Sequence, residues 1–200
     1  MIDKNDVIAF FDMCAPTWDA EMICDDMKIN TILDNAGVHQ GVRVLDVGCG
    51  TGVLVPYYLR RGVSSVLGVD ISPKMVGIAE SKFGAGNVSF VCADAETEDL
   101  GSDFDCIVIY NAFPHFSDAG RLLDNLCRML RAGGTLTVAH GMSRSRVNSH
   151  HSGSAKRVSN GLPEVEELAR IFDGYLETTT LISDELIYQI CGKKKILLKA

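Results

Sequence analysis

No stretch of the sequence supplies the roughly 18 uninterrupted apolar residues that a membrane-spanning helix requires. The amino terminus, MIDKNDVIAFF, places acidic residues where a secretory signal has its apolar core. The expectation is a soluble, cytoplasmic protein with no membrane partner. The seven cysteines, Cys14, Cys24, Cys49, Cys92, Cys106, Cys127 and Cys191, are odd in number and include no C-x-x-C pair. Most fall in apolar runs, where a thiol acts as a small hydrophobe, so reduced structural cysteines are expected. Cys49 is the exception, because it lies within a glycine-rich turn. The net charge of −7 is scattered rather than gathered in a tail, which argues against a polyanion-binding surface. Internal repeats and low-complexity tracts are lacking too.

What is present suffices for one domain. A chain of 200 residues, 46% of them hydrophobic, buries roughly 70% of the surface its unfolded form exposes. Short Val- and Ile-rich runs at 42–47, 65–70, 87–92, 104–110 and 134–140 are continuous enough to be buried on both faces, as parallel strands are. Between them lie helix signals. Ser72-Pro73 offers an N-cap and a first-turn proline. Ser117 is a candidate cap for a helix carrying Leu122, Leu123, Leu126 and Leu130, with Gly133-Gly134 as its stop. Pro163 opens a last helix with Val165, Leu168 and Phe172 on one stripe and Gly174 beyond it. Residues 1–36 read as helical. Residues 175–183 and 185–199 read as an antiparallel hairpin at the sheet edge. The pattern predicts a doubly wound α/β sheet. Residues 141–162 form a polar connection without an acidic residue, long for a structureless loop, which signals a lid, a binding loop or a further helix.

The segment VLDVGCGTGVL, residues 44–54, packs three glycines at the end of the first strand, the place where an open α/β sheet receives its ligand. Missing Cβ atoms at Gly48, Gly50 and Gly52 permit the turn and bring backbone close to a ligand; at Gly52 the alternative is close helix–strand packing. A G-x-G-x-x-G dinucleotide fingerprint counted from Gly48 fails, because Val53 occupies its last position. Asp46 would repel a pyrophosphate and attract an ammonium group. Asp70 ends the second strand about twenty residues on, where a carboxylate takes both hydroxyls of a ribose. Asp94 ends the third and is placed to accept from an exocyclic amino group of adenine.

VLDVGCGTG, GVDIS, CADAE, FDCIVIYNAFPHF and LRAGGTLTVAH, in this order and spacing, resemble the successive motifs of class I S-adenosylmethionine-dependent methyltransferases, particularly the small stand-alone members. The resemblance covers about 42–141. It implies a Rossmann-like seven-stranded sheet, mostly parallel with an antiparallel C-terminal hairpin, and S-adenosylmethionine as cofactor. It places Asp46, Gly48 and Gly50 around the methionine part and Asp70 on the ribose. Asp94 and the Ala95 backbone then meet the adenine, Ile71 and Met75 pack beside it, and the Asn111 backbone lies near the ammonium. Seen alone, Ile71 and Met75 read equally as core. The domain divides into a helical cover (1–36), a cofactor-binding core (42–140), the polar connection (141–162) and the last helix with its hairpin (163–200).

Methyl transfer from a sulfonium needs positioning more than catalytic groups, unless the acceptor must lose a proton. Histidine is then the natural base. His115 follows the fourth strand, His140 ends the fifth, and His150 and His151 lie in the connection, so four histidines are expected at one rim. The alternative for His115 and His140 is a strand-end residue bonded to backbone. No tight ligand spacing anchors a metal. NAFP at 111–114 lacks the proline pair found in enzymes that methylate adenine or glutamine amino groups, which with the acidic charge argues against a nucleic acid substrate. Phe11 and Trp18, within FFDMCAPTWDAEM, are candidates for closing the site. Arg144 and Arg146, near His150 and His151, suggest a lid that recognises an anionic group on the acceptor. The expected function is methyl transfer to a small molecule; a cofactor-binding sensor or partner subunit is the alternative, and a dehydrogenase is more distant.

Overall fold

The computed structural model describes residues 2–150 and 154–195. Seven strands form one sheet: β1 (Arg43–Val47), β2 (Ser65–Asp70), β3 (Val88–Cys92), β4 (Phe104–Tyr110), β5 (Leu130–His140), β6 (Leu176–Ser183) and β7 (Tyr188–Lys194). Their order is β3-β2-β1-β4-β5-β7-β6. The first five pair in parallel, and β7 runs antiparallel to both β5 and β6. The sequence runs outward from β1 in one direction and from β4 in the other, so a crevice opens beyond the carboxyl ends of these two strands.

Alternation in the central strands accounts for burial on both faces. Leu45, Val47, Ile107 and Ile109 join one core cluster, while Val44, Cys106 and Val108 join the other. The first face receives α6 (Ala119–Met129) through Leu122, Leu123 and Leu126, and α8 (Val165–Phe172) through Leu168 and Phe172. The second receives α3 (Asp26–Asn35) through Ile29 and Leu33, and α4 (Val55–Arg60) through Tyr57 and Tyr58. The remaining helices are α1 (Lys4–Cys14), α2 (Trp18–Glu21), α5 (Pro73–Phe83) and α7 (Arg144–His150). Ser72 caps α5 as expected, its hydroxyl accepting from the Met75 N–H at 3.2 Å.

Two local expectations are corrected. Asp118, not Ser117, caps α6, accepting from Arg121 N at 3.0 Å, because the Ser117 hydroxyl is drawn to Glu96 at 2.8 Å. The same helix ends before Gly133-Gly134: Leu130 is already extended and pairs with Phe104, so the two glycines lie inside β5. The antiparallel hairpin stands at the sheet edge as expected, with β6 outermost; residues 196–199 of its second strand lie outside the described residues. Of the readings left open for the polar connection, the further helix is present: the segment holds α7 and a 3-10 turn at Ser154–Val158.

Gly192 of β7 lies under α8, and a Cβ there would meet Leu176 Cβ at 2.8 Å and Phe172 Cδ1 at 2.9 Å. Gly77, exposed on α5, has nothing within 4 Å of a built Cβ. Gly192→Ala is expected to destabilise by about 1–3 kcal/mol through overpacking. Gly77→Ala is expected to stabilise by about 0.5–1 kcal/mol through helix propensity. Urea unfolding followed by circular dichroism measures both.

Candidate functional site

The crevice is a cavity floored by the ends of β1, β2 and β4 and roofed by the chain from α1 to α2. Its lining includes Gly48, Cys49 and Gly50 of the turn, then Asp70, Ile71, Met75, Asp94 and Ala95. Asn111, His115, Phe11 and Trp18, also singled out by the sequence, line it too. Met75 is both core and lining, being buried to 1% exposure against the cavity wall.

The three glycines have three different reasons. A Cβ on Gly48 would lie 2.5 Å from that of Ala112, and one on Gly52 would lie 2.9 Å from the Phe83 ring. Those two positions are therefore bare because protein packs against them, at Gly52 by the helix packing considered above. Only at Gly50 does the missing side chain face the cavity, its nearest neighbour being Trp18 Nε1 at 3.8 Å. All three also hold positive φ, the left-handed region that glycine enters without a Cβ penalty. Asn111 turns the chain out of β4 with φ 55°, held by its Oδ1 accepting from Gly141 N at 3.0 Å.

Carboxylates dominate the floor. Asp70 accepts from Gly50 N and Ser72 N, each at 2.9 Å, which sets its side chain at the cavity edge. Burial raises its pKa, while the N–H groups of Ser72, Gly50 and Ile71 pull it back. Asp46 lies beneath the turn, fully buried, and does not line the cavity; among the described residues its Oδ2 has no hydrogen-bond partner. Burial pushes its pKa up to about 7, with the Tyr58 hydroxyl acting downward and the Asp70 charge upward. Asp70 at the cavity edge, with Asp46 beneath the turn, suits a ligand that brings positive charge.

The roof is fastened by polar contacts. Lys4 pairs with Asp94 and, at 3.0 Å, with Glu96. Burial acts to lower the Lys4 pKa, but the two carboxylates more than offset it and the net shift is upward. Asp12 accepts from Ser72 Oγ at 2.6 Å, and Asp19 accepts from Thr51 Oγ1 at 2.5 Å and pairs with Lys82 at 2.7 Å. Phe11 packs edge-on against both Trp18 and His115, with ring centroids 5.8 and 4.8 Å apart. The His115 ring is also fixed by Nδ1, 2.7 Å from the Val158 carbonyl oxygen.

Other expected residues stand elsewhere. His140 is buried at the end of β5, edge-on to Tyr188, and does not line the cavity. Arg144 is held by the Leu162 carbonyl at 3.0 Å and by Glu164 at 2.9 Å; neither it nor the exposed Arg146 and His150 lines the cavity. His151 lies outside the described residues. The polar connection meets the site instead through Val158, whose burial against the roof was not foreseen. Lys4 and Glu96 were missed as well. Glu96 stands within CADAE, whereas nothing local marks Lys4, whose partners lie about 90 residues away. Among the described residues no group of three or more His, Cys, Asp or Glu side chains is placed to hold a metal ion.

The Asp46 carboxyl yields a pH prediction. Its folded pKa of about 7 exceeds the unfolded value of 3.8, so folding favours the protonated form. Its contribution is fully present below pH 4 and is lost as pH rises to about 7. Relative to Asp46→Asn, the wild-type chain is expected to lose on the order of a few kcal/mol between pH 5 and pH 8 in urea unfolding.

Comparison with known proteins agrees with this geometry. Residues 44–134 match the model of a methyltransferase domain. The chain is 33% identical over 142 residues to a malonyl-[acyl-carrier protein] O-methyltransferase of Acetivibrio thermocellus, covering 70% of this chain and 50% of that protein. It is 30% identical over 159 residues to a ubiquinone biosynthesis O-methyltransferase of Sinorhizobium medicae, covering 69% and 63%. It thus spans about half the length of the malonyl relative. Among solved structures, a TehB-like S-adenosylmethionine-dependent methyltransferase from Corynebacterium glutamicum shares the fold with a TM-score of 0.70 at 22% identity, over 94% of this chain and 99% of that one. The N-methyltransferase NodS of Bradyrhizobium japonicum, in complex with S-adenosyl-L-homocysteine, aligns with a TM-score of 0.66 at 16% identity, over 84% and 86%. With four of the five motifs lining one cavity at the β1/β4 crevice, the chain carries the motifs and fold of the class I S-adenosylmethionine-dependent methyltransferases, with a methyltransferase domain over residues 44–134.

Proposed function

We propose that the chain acts as a single cytoplasmic domain that methylates a small molecule, with His115 removing a proton from the acceptor. Bound S-adenosylmethionine supplies an electrophilic methyl group whose leaving thioether needs no acid. Asp70 is placed to hold the ribose, and Asp94 with the Ala95 backbone the adenine. The residues around the methyl position have two tasks: to align the acceptor atom at about 3–3.5 Å and to keep water out. Phe11, Trp18 and Phe116 supply the apolar enclosure, and all three line the cavity.

The observation that carries the reading is the setting of His115. A carbonyl oxygen only accepts, so Nδ1, at 2.7 Å from Val158 O, carries the hydrogen. In the neutral ring this leaves Nε2 as the basic nitrogen, on a residue that lines the cavity. Phe11 prevents the ring from turning. Such a base serves an acceptor whose atom carries a proton at neutral pH, such as a hydroxyl or an amine. A carboxylate acceptor, already ionised, would not use it.

His115→Gln is therefore expected to lower kcat for a hydroxyl or amine acceptor by about a hundredfold, with cofactor Kd within twofold of wild type. The same change leaves methylation of a carboxylate nearly unaltered. Formation of S-adenosylhomocysteine across a panel of phenols, amines and malonyl thioesters measures it. Full activity of His115→Gln on a proton-bearing acceptor removes the base, and binding without turnover on any acceptor supports a sensor or partner subunit.

A further inference from the structure

We propose that the indole N–H of Trp18 recognises the carboxylate of the cofactor's amino acid tail, so that the roof reads the tail as well as covering it. The inference rests on the assignment of this cavity to S-adenosylmethionine.

A glycine-rich turn ordinarily offers free N–H groups to an anion, but this one has little to give. Gly48 N and Cys49 N both donate to the Val69 carbonyl, at 2.8 and 3.0 Å. Gly50 N donates to Asp70 at 2.9 Å, and Gly52 N to the Cys49 carbonyl at 2.9 Å. Thr51 is buried, does not line the cavity, and directs its hydroxyl to Asp19. Among the described lining residues the one lysine or arginine is Lys4, held by Asp94 and Glu96 at the end assigned to adenine. Asp70, at the cavity edge, repels a carboxylate.

A donor of this kind stands on the roof. Trp18 Nε1 lies 3.8 Å from the position a Cβ on Gly50 would take, over the one glycine whose bare face opens on the cavity. An indole N–H only donates, so it distinguishes a carboxylate from an ammonium group. Its place is fixed from two sides. Phe11 packs edge-on against the ring, and the next residue, Asp19, is bonded to Thr51 of the turn itself. Trp18 is thereby registered to the glycine turn rather than to the roof alone.

Trp18 is the only tryptophan of the chain, so its fluorescence reports on this contact without labelling. Two probes separate the tail's groups: S-adenosylhomocysteine, and its decarboxylated analogue, which keeps the ammonium and the thioether. Calorimetry on wild type and Trp18→Phe, each verified as folded by circular dichroism, gives four dissociation constants. Trp18→Phe is expected to weaken S-adenosylhomocysteine about tenfold, as loss of a charge-assisted hydrogen bond does, and to alter the analogue less than twofold. In the wild type, S-adenosylhomocysteine shifts the indole emission and the analogue shifts it less. Equal weakening of both ligands, or equal emission changes, overturns the proposal and leaves Trp18 as roof packing. Unchanged binding of S-adenosylhomocysteine by Trp18→Phe overturns it as well. Failure of the wild type to bind either probe overturns the cofactor assignment itself, a result distinct from the other two.

Discussion

At the carboxyl ends of β1 and β4 the backbone comes so close that a Cβ on Gly48 would lie 2.5 Å from the Ala112 side chain. This approach sets the floor of the site. It follows from the parallel register of the two strands, Val44 against Cys106 through Val47 against Ile109, which brings both chains to the sheet edge together. One must then turn away through glycines and the other through the left-handed Asn111. A larger residue at either position would part the strand ends, and Asp46, Asp70 and Asn111 would lose their common geometry. The crevice is thus a consequence of β-sheet register before it is a binding site.

The cofactor half was legible because it is local. Each of its residues ends a strand or begins the following turn, and the strands announce themselves as Val- and Ile-rich runs buried on both sides. Asp70, Asp94 and Asn111 could be placed by counting along the chain. The meaning of each glycine could not, since it depends on what packs opposite: Ala112, the cavity with Trp18 above it, and Phe83 come from three separate elements. The acceptor half was less legible for the same reason. His115 and His140 look alike in sequence, each following a strand, yet one lines the cavity and the other is buried against Tyr188. The difference arises because β7 enters the sheet beside β5 and covers His140 with its own first residue, an antiparallel pairing formed across about fifty residues.

The basic connection shows how composition misleads about direction. Its lack of acidic residues suggested cations facing an anionic substrate, but the needed counter-charges come from outside the segment. Arg144 pairs with Glu164 and Arg157 with Asp6 of α1. The Arg157 pair ties the connection to the roof, and Val158 continues the contact by packing with Ile2 and Val7. The segment therefore meets the site from behind, by supporting α1 and by fixing His115, while Arg144 and Arg146 stand outside the cavity lining.

The cavity, His115 and the roof are consequently parts of one assembly. Phe11 touches His115 on one side and Trp18 on the other; Val158 holds the His115 ring and packs beneath α1. The apolar anchorage of the roof is small, with Ile2, Val7 and Ala15 as its buried side chains, and much of the remaining hold is ionic and partly exposed. Exposed pairs of this kind contribute only about 0–1 kcal/mol each, so the roof is fastened at several points without being locked at any. That suits an enclosure that must open to admit a ligand and then exclude water. Since the residues that complete the enclosure also orient His115, the proposed base gains its fixed orientation when the roof is down. The proposed proton removal and the protection of the methyl donor are then linked by the same two aromatic contacts, Phe11 with His115 and Phe11 with Trp18.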